Sequence, residues 1–217
     1  MKIKICGITN TTDCSEAVSR GADYIGFIFY PWSPRYVTAE QATGIICRVS
    51  RMVTRQYRKV GVFVNESIRT LTGIYHRVGL DIVQLHGDES LDYCRQLAMP
   101  YWKALRVRDS RSLEDLDRFA GEAVLLDTYV EGTYGGTGVS FSLGLVEEAI
   151  KIAAARGIRV IISGGISLEN IEAFGRLPLP PYAFDVNSSL EEKPGKKSRE
   201  KIEKFFETFN RLRRESP

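Results

Sequence analysis

The chain has only two histidines, His76 and His86, and four cysteines, Cys6, Cys14, Cys47 and Cys94, in 217 residues. No Cys-x-x-Cys pair occurs and no ligand spacing suits zinc, so neither a metal site nor a disulfide framework is expected. Scattered single cysteines read as reduced thiols; Cys14, Cys47 and Cys94 are expected to pack as small apolar residues. No apolar run approaches the ~20 residues of a membrane-spanning helix, which excludes a membrane role of that kind. A strand-like pattern starts at once in Met1-Lys2-Ile3-Lys4-Ile5, leaving no room for a signal peptide and favouring the cytoplasm. A large excess of one charge is also missing: 30 Lys and Arg against 27 Asp and Glu give +3. That is too little for a nucleic-acid partner, though it suits an anionic small-molecule substrate. No obligatory protein partner is inferred.

Hydrophobic residues, at 43%, and charged residues, at 26%, fit a soluble globular protein. A chain of this length buries roughly 70% of the surface its unfolded form exposes. Eight short apolar runs alternate with amphipathic stretches: Lys2 to Cys6, Tyr24 to Phe29, Val60 to Val64, Ile82 to Leu85, Trp102 to Val107, Ala123 to Leu126, Val160 to Ile162 and Ala183 to Val186. Continuous Val- and Ile-rich runs are typical of strands buried on both faces of a parallel sheet. Leu145 to Arg156 shows helical patterning, with apolar side chains at Leu145, Ile150 and Ile152. Gly21, Gly79 and Gly157 fit the position just past a helix end. Eight strand–helix units of about 27 residues predict an α/β protein, a single-domain (β/α)8 TIM barrel over residues 1–217. An open doubly wound sheet is the runner-up, but its G-x-G-x-x-G turn after the first strand is absent.

In such barrels the chemistry sits where strands end and βα loops begin. Cys6 closes the first run, either as a small core residue or as a thiol at the barrel mouth, where positive charge would have to favour its thiolate. After the second run, Pro31 and Pro34 stiffen a loop leading to Arg35, a surface arginine or a bidentate clamp for a carboxylate. Gln84 and His86 alternate onto the same side of the fourth run, so both can face the mouth. The sixth run ends at Asp127, and a carboxyl desolvated at a strand end is suited to act as a general acid. A glycine-rich stretch, Gly132 to Gly138, follows it and would allow close approach to a ligand or form a mobile cover. Gly164 and Gly165 after the seventh run, and Ser188 and Ser189 after the eighth, fall where these barrels hold phosphate. Ser167 to Asn170 reads as a helix start that adds donors there.

Taken in order, these strings resemble phosphoribosylanthranilate isomerase. The matching segments are Lys4-Ile5-Cys6-Gly7, Gly26-Phe27-Ile28-Phe29, Ser33-Pro34-Arg35-Tyr36-Val37, Val60-Gly61-Val62-Phe63-Val64-Asn65 and Gln84-Leu85-His86-Gly87. They continue with Leu126-Asp127-Thr128, Gly135-Gly136-Thr137-Gly138, Ser163-Gly164-Gly165-Ile166, Asp185-Val186 and Lys193-Pro194-Gly195-Lys196-Lys197. The resemblance implies an Amadori rearrangement of N-(5-phosphoribosyl)anthranilate in tryptophan biosynthesis, without metal or organic cofactor. It implies Asp127 as general acid, Cys6 as general base and Arg35 as the holder of the anthranilate carboxylate. Gly164, Gly165, Ser188 and Ser189 would hold the phosphate; His86 and Asp185 match polar positions lining the site.

The chain departs from that pattern at Ser189, where the family often has glycine, at Leu143, where an aromatic is common, and at Ser198, where aspartate is usual. Ser198 can still cap the last helix. The alternatives are another phosphate-gripping sugar-phosphate isomerase or epimerase barrel, or a barrel that binds a phosphorylated ligand without turning it over. Epimerase-like barrels need more metal-binding histidines than the chain has.

Overall fold

A computed structural model describes residues 1–114, 116, 118, 121–128 and 143–215. Its eight parallel strands close into a barrel in strict sequence order. They are β1 (Lys2–Ile5), β2 (Tyr24–Ile28), β3 (Arg58–Phe63), β4 (Ile82–Leu85), β5 (Tyr101–Val107), β6 (Ala123–Thr128), β7 (Val160–Ile162) and β8 (Ala183–Val186). Each matches an apolar run to within two residues at either end. The helices are α1 (Thr11–Arg20), α2 (Ala39–Met52), α3 (Ile68–Val78), α4 (Leu91–Arg95), α5 (Leu143–Ala154), α6 (Ile171–Gly175) and α7 (Arg199–Glu215). After β5 the described residues show a 3-10 turn, Ser110–Leu113, in place of an α-helix. The anticipated glycine ends hold: Gly21 and Gly79 cap α1 and α3 at φ 116° and 67°, and Gly157 has φ 70°. Ser198 accepts from Lys201 N and caps α7 despite the missing aspartate.

Alternation along the strands sorts side chains into two cores. Ile3, Ile5, Phe27, Phe63, Leu85, Val124 and Phe184 face outward and meet the helices, including Phe205, Phe206 and Phe209 of α7. Tyr24, Val60, Ile82, Trp102, Ala104, Leu125 and Ile161 fill the barrel interior, where Tyr24 meets Trp102 edge-on at 4.9 Å. Above this plug lies a polar layer, Lys4, Gln84, Asp127, Ser163 and Asp185, all buried. Cys6, Ile28 and Val62 form a small apolar cluster beside it. One expectation needs correction: Cys47 is exposed on α2, whose buried face is Ala42, Ile45 and Val49. On α5, Val146, Ala149, Ile150 and Ala153 are buried, and Leu145 and Ile152 pack against the core beside them.

A buried ion pair positions the loops after β3 and β4. Lys103 alternates with the interior Trp102 and Ala104, so it points outward from β5. Its ammonium donates to Glu89 Oε2 at 2.9 Å and to the Gly87 carbonyl at 2.7 Å. Glu89 in turn accepts from the backbone N–H groups of Asn65 and Gly87. Asn65, at φ 50° in the left-handed region that asparagine tolerates, accepts from Asp88 N. The segment that begins with His86 is thereby fastened to two neighbouring strands. Replacing one partner of a buried pair costs about 3–5 kcal/mol because the other charge stays unpaired. Lys103→Met is therefore expected to lower the melting temperature by roughly 6 °C or more for a chain of this size; a melting curve superimposed on that of the parent protein would refute this.

Candidate active site

On one side of the barrel mouth stands Cys6, just past β1. Its thiol has room because β2 carries Gly26 beside it: a Cβ there would lie 2.8 Å from Sγ and 3.0 Å from Lys4 Cε. Beneath it, Lys4 donates to Asp185 Oδ2 at 2.8 Å, a pair whose partners face each other in register across β1 and β8. Burial disfavours the ammonium, but Asp185 and Cys6 outweigh it and raise the Lys4 pKa. Burial pushes the Cys6 thiol above its ordinary value of 9.0; Lys4 and Lys197 oppose that shift without cancelling it. The positive charge a base at this position requires is therefore present, in two buried lysines.

On the other side, Asp127 ends the buried stretch of β6 and His86 follows β4. His86 Nε2 lies 2.9 Å from Asp127 Oδ2, and Gln84 Nε2 lies 2.9 Å from His86 Nδ1. Gln84 and His86 share the orientation their spacing suggested. Among the described residues, neither Asp127 Oδ1 nor Asp185 Oδ1 has a hydrogen-bond partner, and both are buried, one on each side of the mouth. Between the two walls is a cavity open at the barrel mouth. It is lined by Cys6, Arg35, His86, Asp127, Gly164, Gly165, Asp185 and Ser188, among others. Gly164 and Gly165 take left-handed backbone at φ 73° and 78°, which side-chain-bearing residues rarely adopt.

Of the ten residues singled out from the sequence, Gln84 among them, nine line this cavity; Ser189 does not. Its hydroxyl donates to the Ile166 carbonyl at 2.6 Å and so ties the loop after β8 to the loop after β7. Its backbone is not left-handed, so serine replaces glycine here without strain. The helix start anticipated at Ser167 lies later: α6 begins at Ile171 and spans five residues, with Asn170 Oδ1 accepting from Ser167 N instead of capping the helix. The glycine-rich Gly132 to Gly138 lies outside the described residues. Leu143, in place of the aromatic, is 43% exposed.

Arg35 is not an idle clamp. Its Nε and Nη2 donate to the two carboxylate oxygens of Glu191 at 2.9 and 2.7 Å. Glu191 also accepts from Lys197, whose ammonium reaches the Asn187 carbonyl and side chain as well. Burial alone would raise the Glu191 pKa, but Arg35 and Lys197 together hold it below its usual range. Glu191, Lys197 and Lys4 are the site residues that sequence reasoning passed over. Lys4 was hidden as a single polar member of an apolar run, although a polar residue facing a barrel interior is itself a signal. Among the described residues, no group of three or more His, Cys, Asp or Glu side chains could hold a metal ion. No helix among them is long and apolar enough to cross a membrane.

A closed eight-stranded barrel with titratable groups converging at the C-terminal ends of its strands defines a (β/α)8-barrel enzyme. The family model described as N-(5'phosphoribosyl)anthranilate (PRA) isomerase matches residues 3–208. A relative from Pelobacter propionicus, named N-(5'-phosphoribosyl)anthranilate isomerase, is 41% identical over 216 residues, covering 100% of this chain and 99% of its own. The crystal structure of phosphoribosyl anthranilate isomerase from Thermus thermophilus is 32% identical with a TM-score of 0.84, covering 98% and 100% of the two chains. A structure of phosphoribosyl anthranilate isomerase in complex with reduced 1-(o-carboxyphenylamino)-1-deoxyribulose 5-phosphate is 34% identical with a TM-score of 0.79, covering 95% and 97%. The chain belongs to the N-(5'-phosphoribosyl)anthranilate isomerase family.

The lowered pKa of Glu191 carries a stability consequence with a definite sign. A carboxyl that ionises more readily when folded contributes fully above its unfolded value, near 4.5, and loses that contribution as pH falls through the folded value. Glu191→Gln is expected to lose about 3–5 kcal/mol at neutral pH, the cost of stranding buried cations. It should also flatten the fall in stability below pH 4.5. Urea unfolding across a pH series measures both; a parent-like midpoint at pH 7 with the same acid slope would contradict the assignment.

Proposed function

We propose that this chain catalyses the Amadori rearrangement of N-(5-phosphoribosyl)anthranilate to 1-(2-carboxyphenylamino)-1-deoxyribulose 5-phosphate, the isomerisation for which its family is named. The observation that carries the reading is the placement of Cys6 and Asp127 in one cavity, on strands β1 and β6 that stand apart around the barrel. The reaction donates one proton and removes one, on a substrate held at both ends, so two groups facing one bound sugar meet its chemical demand.

Asp127, as general acid, protonates the ribose ring oxygen, and the C1–O bond breaks to give an open-chain Schiff base. Cys6, as thiolate, removes the proton from C2, and the electron pair moves toward the nitrogen to form the enolamine. Reprotonation at C1 and loss of the C2 hydroxyl proton give the ketone, with no net change in atoms. Lys4 and Lys197 favour the thiolate by charge. The unpartnered oxygen of Asp185 accepts from a sugar hydroxyl. The phosphate lies against Gly164, Gly165 and Ser188, with Ser189 bracing the two loops. Arg35 meets the anthranilate carboxylate through the part of its guanidinium that Glu191 leaves unengaged. The work is that of a cytoplasmic enzyme of tryptophan biosynthesis acting on a small molecule, with no obligatory partner.

Freshly generated phosphoribosylanthranilate, followed by fluorescence with excess chelator, is expected to disappear faster than its spontaneous decay and at a chelator-independent rate. No acceleration by folded protein would leave a phospholigand-binding barrel of another specificity. Asp127→Asn and Cys6→Ala should each lower turnover by at least ~100-fold, the lower bound for acid–base groups; near-parent kinetics in either variant removes that residue from its role. Because the free enzyme holds Cys6 protonated above its ordinary range, kcat/KM should climb as pH rises from neutral into the alkaline range. A plateau already reached below pH 7 would exclude the thiol as base.

A further inference from the structure

Gln84 is 1% exposed and Asp127 2%, and between them stands His86, hydrogen-bonded to each. An amide nitrogen only donates, so the ring nitrogen facing Gln84 Nε2, Nδ1 of His86, must present its lone pair. A neutral ring then carries its hydrogen on Nε2 and donates it to Asp127 Oδ2. When Asp127 is protonated, a hydrogen on Oδ2 would meet that N–H head-on, whereas Oδ1 has no partner among the described residues and belongs to a residue lining the cavity. Reversing the Gln84 amide would exchange one buried oxygen lacking a donor for a buried NH2 with two hydrogens to satisfy, the costlier arrangement.

We propose that Gln84 is a positioning residue: it fixes His86 as the Nε2–H tautomer and thereby directs the acidic proton of Asp127 to Oδ1, the oxygen that no described residue engages. The inference rests on the reading of Asp127 as the acid. It also assigns His86 a role distinct from substrate binding, as the donor that occupies Oδ2. A reversed ring would instead turn the proton of Asp127 toward the imidazole and away from the substrate.

The chain suits a direct test because His76, exposed on α3, is its other histidine. Nitrogen NMR of protein labelled with 15N-histidine, assigned with a His76→Gln variant, is expected to show His86 with a protonated Nε2 and a bare Nδ1 at neutral pH. Gln84→Glu, at a pH where the new carboxyl is ionised, presents only acceptors to Nδ1, so it should move the hydrogen to Nδ1 or protonate the ring twice. It should lower kcat by roughly 10–100-fold, less than or comparable to loss of the acid itself, and leave KM within about twofold, the pattern of an interaction that acts in the transition state. Gln84→Met, which removes the donor without adding charge, should lose the preference for one tautomer. A wild-type His86 protonated on Nδ1, or a Gln84→Glu protein with the parent nitrogen pattern, would overturn the proposal; the wild-type spectrum decides even if a variant does not fold. An inactive protein with the Nε2–H pattern sinks the isomerase reading alone, and an active one with the Nδ1–H pattern sinks this inference alone.

Discussion

The mouth of the barrel is organised around the buried ion pair of Lys4 and Asp185. It joins the first strand to the last, in register, at the seam where the barrel closes. An ion pair in that position is a costly way to hold two strands together, since apolar side chains of similar volume would do so at no desolvation cost. Its value lies in what it makes possible above it. The Lys4 ammonium acts on the Cys6 thiol more strongly than Lys197 does, and Asp185 keeps one oxygen without a partner among the described residues on the same side of the mouth. Without Lys4, Cys6 would lose the stronger of the two buried cations that favour its thiolate.

The two walls of the site are held in different ways. The β1 wall is electrostatic: Lys4, Asp185, Lys197, Glu191 and Arg35 form two linked charge clusters around a thiol. The β6 wall is built from directional hydrogen bonds, Gln84 to His86 to Asp127, with the loop after His86 fastened by Lys103 and Glu89. Arg35 and Glu191 also link the loop after β2, which carries the stiff proline pair, to the short segment after β8. One end of the mouth is therefore mechanically continuous with the turn beside Ser188 and Ser189. A ligand gripped at one end bears on the residues that hold the other.

Much of this was legible in the chain itself. Strands buried on both faces must be apolar throughout, so all eight appear as short apolar runs, and strict alternation with helices leaves few ways to arrange them. The strand ends then locate Cys6, His86, Asp127 and Asp185 at one mouth. What escaped was pairing over long separation: nothing near Arg35 announces that Glu191 occupies it, because the contact exists only once the barrel has closed. Lys4 went unremarked because a single polar residue barely disturbs an apolar run, yet inside a barrel it must have a partner. The exposed Cys47 was misjudged because its burial was read from residue type and not from the helix face that Ala42, Ile45 and Val49 form. Ser189 was marked as a departure, and its backbone removes the concern while its hydroxyl finds a different task.

Gly26 has a meaning beyond the space it leaves. A methyl group there would press on both the Cys6 sulfur and the Lys4 side chain, so three positions on two adjacent strands share one small volume. Any lineage that enlarges residue 26 must first give up or move the thiol, and any that enlarges residue 6 depends on glycine remaining opposite. Substitutions at these sites are therefore coupled by sterics. The thiol at this barrel mouth keeps its place only because a side chain is absent on the neighbouring strand.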